Sequence, residues 1–281
     1  YLFYPYGNSS SSPNIISVDF AEGSQCTEIG DYAFRDCSSL TSITIPEGVT
    51  SIGQYAFYNC TGLLEINYNA TNVTDLSDSN YVFANAGNSS TGVAVNIGAN
   101  VAQIPAYLFC PNRTDSSYTP NIVSINFAED CQCTKIGNYA FYECTGLTEI
   151  NFNATNMSDL SSDNRVFYDA GKNGTGIVVN IGANVTRIPA YLFCPYSANS
   201  SYSPNIKSLN FADDSQCTEI GTYAFSRCSS LTNITIPSSV TSIRESVFWG
   251  CSIFADVYYG GDINDWVTIS FEDFTANPLF Y

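Results

Sequence analysis

The chain has 281 residues, 44% of them apolar and 12% charged, with 26 acids against nine Lys and Arg and a formal net charge of −17. That balance excludes a nucleic-acid partner, because phosphate binding needs clustered Lys and Arg, and it disfavours anionic membrane surfaces. There is no histidine, so the commonest general base and metal ligand is missing, and no apolar run of about 18 residues could span a bilayer.

The chain opens at Tyr1-Leu2-Phe3, in the middle of a repeat, which is the expectation for a fragment of a longer protein whose targeting signal and anchor lie elsewhere. Repeat phase is set by a Phe that follows Ala, Val or Leu. It falls at Phe3, Phe34, Phe57, Phe83, Phe109, Phe141, Phe167, Phe193, Phe225 and Phe248, with spacings of 23 to 32 residues. The clearest unit runs from Ser39 to Cys60 and returns from Ser230 to Cys251. In it, Leu40, Ile43 and Ile45 read as a short strand, Pro46 and Gly48 turn the chain, Val49 and Ile52 face inward on a second leg, and Tyr55 to Cys60 reads as a single turn. One such unit cannot bury its own apolar face, whereas stacked copies can.

Two further variants fill the same slots. One carries Asn-Ala-Thr-Asn at Asn69 to Asn72 and Asn153 to Asn156. The other carries Val-Asn-Ile-Gly-Ala-Asn-Val at Val95 to Val101 and Val179 to Val185. Longer connections, Pro5 to Asn14, Pro111 to Asn121 and Pro195 to Asn205, are rich in Pro, Ser, Asn and Tyr, and are expected to leave one edge of the stack as loops. After Cys251 the pattern changes. Residues 1–252 are therefore read as the repeat stack and 253–281 as a divergent last repeat or a capping segment.

In each strand the residue between the two inward positions faces the outer, concave side of the sheet. That column is Asp19, Thr44, Asn67, Asn96, Asn126, Asn151, Asn180, Asn210 and Thr235, followed by Tyr258. It reads either as a binding face of amides and hydroxyls, suited to glycans or extended polypeptide, or as a ladder stabilising itself by side-chain hydrogen bonds. Tyr6, Tyr118, Tyr196 and Tyr202 on the long connections form a second candidate surface, of the Tyr, Ser and Asn composition that suits adaptable recognition, against a plain reading as surface loops.

Of eleven cysteines, five follow Phe by three residues, namely Cys37, Cys60, Cys144, Cys228 and Cys251. Cys26, Cys133 and Cys217 occupy the Val49 slot, an alignment that makes them small buried hydrophobes, and Cys131 is expected to be the exposed thiol. A disulfide framework and a metal or redox site are the alternatives, but Cys131-Gln132-Cys133 lacks zinc spacing and histidine partners. Asp75/Asp78/Asn80, Asp159/Asp163/Asn164 and Asp262/Asp265 read as a weak calcium site or as solvated turn residues, and none matches an EF-hand loop. Nothing singles out a pair of catalytic carboxylates.

The pattern Leu-x-x-Ile-x-Ile-Pro-x-x-Val-x-x-Ile-x-x-x-Ala-Phe-x-x-Cys at Leu40 to Cys60 and Leu231 to Cys251, with Val247 in place of Ala, resembles the BspA-like (Treponema pallidum type) leucine-rich repeats. The resemblance covers nearly the whole chain to about Cys251. It implies a leucine-rich repeat solenoid, a right-handed superhelix of the α/β type, strand-rich with short helical turns and about ten stacked units. It further implies a secreted or cell-surface protein, mostly of host-associated bacteria, used for adhesion or protein binding. The expected function is a non-catalytic extracellular binding module, monomeric and without cofactor or membrane insertion. Its partner would be an extracellular protein or glycan, host matrix included. The alternatives are a structural stalk that presents another domain and, less in keeping with the residues, a hydrolase.

Overall fold

A computed structural model describes residues 13–21, 23–110, 118–194, 203–251 and 254–280. Ten parallel strands form one sheet, in chain order: Ser17–Val18, Ser42–Ile45, Glu65–Tyr68, Val93–Ile97, Ile122–Phe127, Glu149–Phe152, Ile177–Ile181, Ile206–Phe211, Asn233–Ile236 and Asp256–Tyr259. Every neighbour in the sheet is the next repeat, so each unit makes one strand and hands it to the unit after it. The strands are short because each alternates only two or three inward apolar residues before a turn. Ile43 and Ile45 are buried while Ser42 and Thr44 between them keep a share of solvent. The fold is therefore a strand-rich leucine-rich repeat solenoid.

The second leg supplies two-residue strands. Glu28–Ile29 pairs with Ser51–Ile52, Gln103–Ile104 with Lys135–Ile136, and Arg187–Ile188, Glu219–Ile220, Ser242–Ile243 and Ser270–Phe271 form a strip of four. The Asn-Ala-Thr units leave no strand there, and a carboxylate takes the strand's place. Asp75 Oδ1 accepts from the Ala106 N–H at 2.9 Å, and Asp159 Oδ1 accepts from the Ala190 N–H at 2.8 Å. A backbone donor that would otherwise lack a neighbour is thereby satisfied.

The third leg carries the aromatic core. Phe34, Phe57, Phe83, Phe109, Phe141, Phe167, Phe193, Phe225 and Phe248 stack in one column, with centroid separations of 4.9 to 6.3 Å. Each ring from Phe57 to Phe225 is buried between the rings of the units before and after it, so one repeat's Phe depends on its neighbours.

This leg is not helical, contrary to the short helical turns expected on it. The residue two before Phe has a positive φ at Tyr32, Tyr55, Tyr81, Tyr107, Tyr139, Arg165, Tyr191, Tyr223 and Ser246, and the residue two after Phe does so at Asp36, Asn59, Asn85, Glu143, Asp169, Arg227 and Gly250. Alternation of left- and right-handed residues splits the N–H groups into two sets. Tyr32, Phe34 and Asp36 donate forward to the carbonyls of Gln54, Ala56 and Tyr58 in the next unit, while Ala33, Arg35 and Cys37 close local turns. A helix would turn every donor back on its own unit, and the units would lose this ladder.

The left-handed conformation costs an ordinary side chain about 1–2 kcal/mol. Forward hydrogen bonds and ring contacts offset it. Tyr32 stacks on Tyr55 at 5.2 Å, Tyr107 on Tyr139 at 4.8 Å and Tyr191 on Tyr223 at 5.3 Å. After Cys251 the chain still contributes to both sheets, through Asp256–Tyr259 and Ser270–Phe271, around a capped single helical turn at Ile263–Trp266.

All eleven cysteines are free thiols. Cys60 and Cys251 donate to the carbonyls of Phe34 and Phe225 in the preceding units at 3.1 and 3.2 Å. Burial pushes the thiols of Cys60, Cys144 and Cys228 well above the ordinary value, and those of Cys133 and Cys251 up to about 12. The expectation of an exposed Cys131 is wrong. Cys131 is fully buried because its residue bridges to Ala154 and its Sγ donates to Gly98 O at 3.4 Å, while Cys26 and Cys194 are the partly exposed thiols.

Candidate binding face

The register of the long sheet brings the outward column together as read from the sequence. Thr44 pairs with Asn67, Asn67 with Asn96, Asn96 with Asn126, Asn126 with Asn151, Asn151 with Asn180, Asn180 with Asn210, and Thr235 with Tyr258. Asp19 lies just past the end of the first strand and is exposed. Six asparagines thus stand in line at the strand spacing of about 4.8 Å.

They are joined head to tail. The Nδ2 of Asn96 donates to Oδ1 of Asn67 at 2.9 Å, Asn126 to Asn96 at 2.9 Å, Asn151 to Asn126 at 2.8 Å, Asn180 to Asn151 at 2.8 Å and Asn210 to Asn180 at 2.9 Å. All five bonds run the same way. A carboxamide has two donor hydrogens and two acceptor lone pairs, so an interior ladder residue keeps one of each for another partner. Asn96 and Asn180 use theirs on Glu65 and Glu149 of the flanking column, at 2.8 and 3.2 Å. The ladder is therefore self-supporting, and it also holds a line of amides in fixed orientation.

Two hollows lie at the end of this face where the strands turn. One, about 400 Å³, is lined by Asn151, Asn180 and Asn210 of the ladder with Asn153, Ile181, Gly182, Phe211 and Ala212. The other, about 370 Å³, shares Asn153 and Gly182 with it and adds Glu129, Asp130, Asn184 and Asp214. A Cβ on Gly182 would collide with Oδ1 of Asn153, so the missing side chain lets the Asn153 carboxamide lie against the backbone, as Gly98 does for Asn69. Asn184 Nδ2 donates to Asp130 Oδ1 at 2.7 Å, which fixes one rim.

The other sequence candidates fall elsewhere. Tyr6, Tyr196 and Tyr202 lie outside the described residues. Tyr118 sits against Tyr58 at 5.8 Å, away from the ladder. The acidic turns are structural. Burial pushes Asp75 up, and the ammonium of Lys135 at 2.7 Å together with the Ala106 N–H outweighs it, holding the carboxyl below the ordinary value. Asn80 and Asn164 close their own turns, and Asp262 caps the terminal helical turn. Among the described residues no group of three or more Cys, Asp and Glu is placed to hold a metal ion. No helix among them is long and apolar enough to cross a membrane. The sequence reading passed over the tyrosines two before Phe. The recurring Tyr-Ala-Phe, Tyr-Val-Phe and Tyr-Leu-Phe triplets were the available signal for that aromatic edge.

Fold and site together define a leucine-rich repeat protein. The BspA type Leucine rich repeat region (6 copies) matches residues 9–122, 79–197, 113–253 and 195–276, and the chain belongs to that family, whose members are typically surface-associated, non-catalytic repeat proteins. Among solved structures, a leucine-rich repeat protein from Bacteroides ovatus ATCC 8483 is 18% identical, with a TM-score of 0.42 over 82% of this chain and 76% of that one. A leucine rich cell surface protein from Faecalibacterium prausnitzii A2-165 is 20% identical, with a TM-score of 0.28 over 87% and 79%. A leucine-rich repeat protein from Eubacterium ventriosum ATCC 27560 is 22% identical, with a TM-score of 0.41 over 84% of this chain and 63% of that one. No curated protein matches the chain.

Proposed function

We propose that this chain is the non-catalytic binding region of a bacterial secreted or surface-attached protein, and that it engages an extracellular protein or glycan through the outer face of its long sheet. The observation that carries the reading is the asparagine ladder. Six amides held in line by five hydrogen bonds are already ordered, so a ligand need not freeze them on binding. The net charge of −17 steers the choice toward neutral or basic partners.

The test is binding of the purified chain to a panel of host matrix proteins and glycans. It runs beside a variant with Asn126, Asn151, Asn180 and Asn210 changed to Lys, and a second with Ser at the same positions. Binding lost in a folded variant supports the sheet face. Binding kept by both folded variants moves the site off that face.

A second reading, a stalk that spaces another domain, draws on the same ladder, because side chains that satisfy one another need no ligand. It predicts no binding by the chain and tolerance of changes along the column.

A further inference from the structure

The paired hollows around Gly182 are a feature of the outer face that the ladder alone does not explain. We infer that they form a subsite for a neutral oligosaccharide, one or two sugar rings deep, with its floor at Gly182 and the ladder amides of Asn151, Asn180 and Asn210 as one wall. This rests on the proposed binding function and names its ligand class.

Two observations converge. The hollows measure about 400 and 370 Å³ and share Asn153 and Gly182, which is the size range of small-ligand sites. Their lining is rich in amides and carboxylates and contains no Lys or Arg. Sugar hydroxyls both donate and accept, and amides offer both partners at once, whereas carboxylates accept only.

The exposed acids Glu129, Asp130 and Asp214 set the charge preference. They repel uronate, sulfate and sialate groups and accept hydroxyls from uncharged sugars. An extended peptide fits less well. Strand addition needs a free sheet edge, and this hollow opens on a sheet face.

The experiment is calorimetric titration of the chain with cellotetraose, chitotetraose and a heparin hexasaccharide. The variants are Asn210→Ala, Gly182→Ser and Asp214→Asn, with Thr27→Ala, an exposed position on the second leg outside the ladder and both hollows, as control. Asp214 is exposed, so its substitution leaves folding alone if Gly182→Ser does not. The expected result is saturable binding of at least one neutral tetrasaccharide and none of heparin. Each hollow variant should weaken binding about tenfold or more, and Thr27→Ala should stay within about twofold. Equal loss in Thr27→Ala and Asn210→Ala, or heparin bound as tightly as the neutral sugars, overturns the subsite. So does failure of both neutral sugars while the matrix-protein panel still binds, which leaves the proposed function standing. If neither sugars nor proteins bind, the proposed function falls as well.

Discussion

The side-chain amide of Asn151 donates to Oδ1 of Asn126 at 2.8 Å and accepts in turn from Asn180 at 2.8 Å. A residue in mid-ladder therefore holds two neighbours, while Asn67, the first rung, only accepts from Asn96. At about 1 kcal/mol net per hydrogen bond, Asn151→Ala should cost about 1–2 kcal/mol and Asn67→Ala about half of that. The urea midpoints of the two variants test the difference. Equal midpoints would mean that the ladder contributes nothing by its continuity.

Phe141 lies parallel to Phe109 and Phe167, with centroids 5.2 and 5.5 Å away, and has no solvent exposure. Phe141→Ala opens a cavity in the middle of the column and should cost about 3–5 kcal/mol. Because each unit rests on its neighbours, the denaturation curve should also broaden or split as the two halves uncouple. An unchanged midpoint would remove Phe141 from the core.

The column two residues after Phe holds Asp, Asn or Gly at Asp36, Asn59, Asn85, Asp169 and Gly250, but Glu143 adopts the same left-handed conformation at φ 53°. Asn tolerates that region better than Glu. Glu143→Asn should therefore raise stability by about 0.5–1 kcal/mol, seen as a Tm a few degrees higher. A lower Tm would show that the Glu143 side chain outweighs its backbone cost.

Burial raises the thiol pKa to about 11 at Cys217 and about 12 at Cys133 and Cys251, and further at Cys60, Cys144 and Cys228, from an ordinary value of 9.0. The folded value lies above the unfolded one. The stabilising contribution is thus intact below pH 9 and is lost as pH rises, since only the unfolded chain releases these protons. Each such thiol steepens the fall by about 1.4 kcal/mol per pH unit. Tm should hold steady from pH 6 to 8 and drop sharply between pH 9 and 11, less sharply in Cys144→Ala. A flat profile to pH 11 would contradict the burial of the thiols.

The sequence by itself determined the repeat, its phase and the face each strand residue takes. Ile43 and Ile45 alternate with Thr44, and a period of two leaves one choice of face once the apolar side is buried. The same alternation set the asparagine column, because identical units stacked in register bring identical positions together. The common direction of the five ladder bonds, the burial of Cys131 and the hollow at Gly182 were not legible. They depend on which neighbour a unit meets: Gly182 matters only because Asn153 stands beside it, and Cys131 is enclosed only because Gly98 and Ala154 flank it. The turns around each Phe were hidden for another reason. Tyr has little preference for a left-handed backbone, and it adopts one here because its N–H must reach the next unit. Spacing along the chain fixes what repeats, whereas contacts between unlike neighbouring units are decided by the stack.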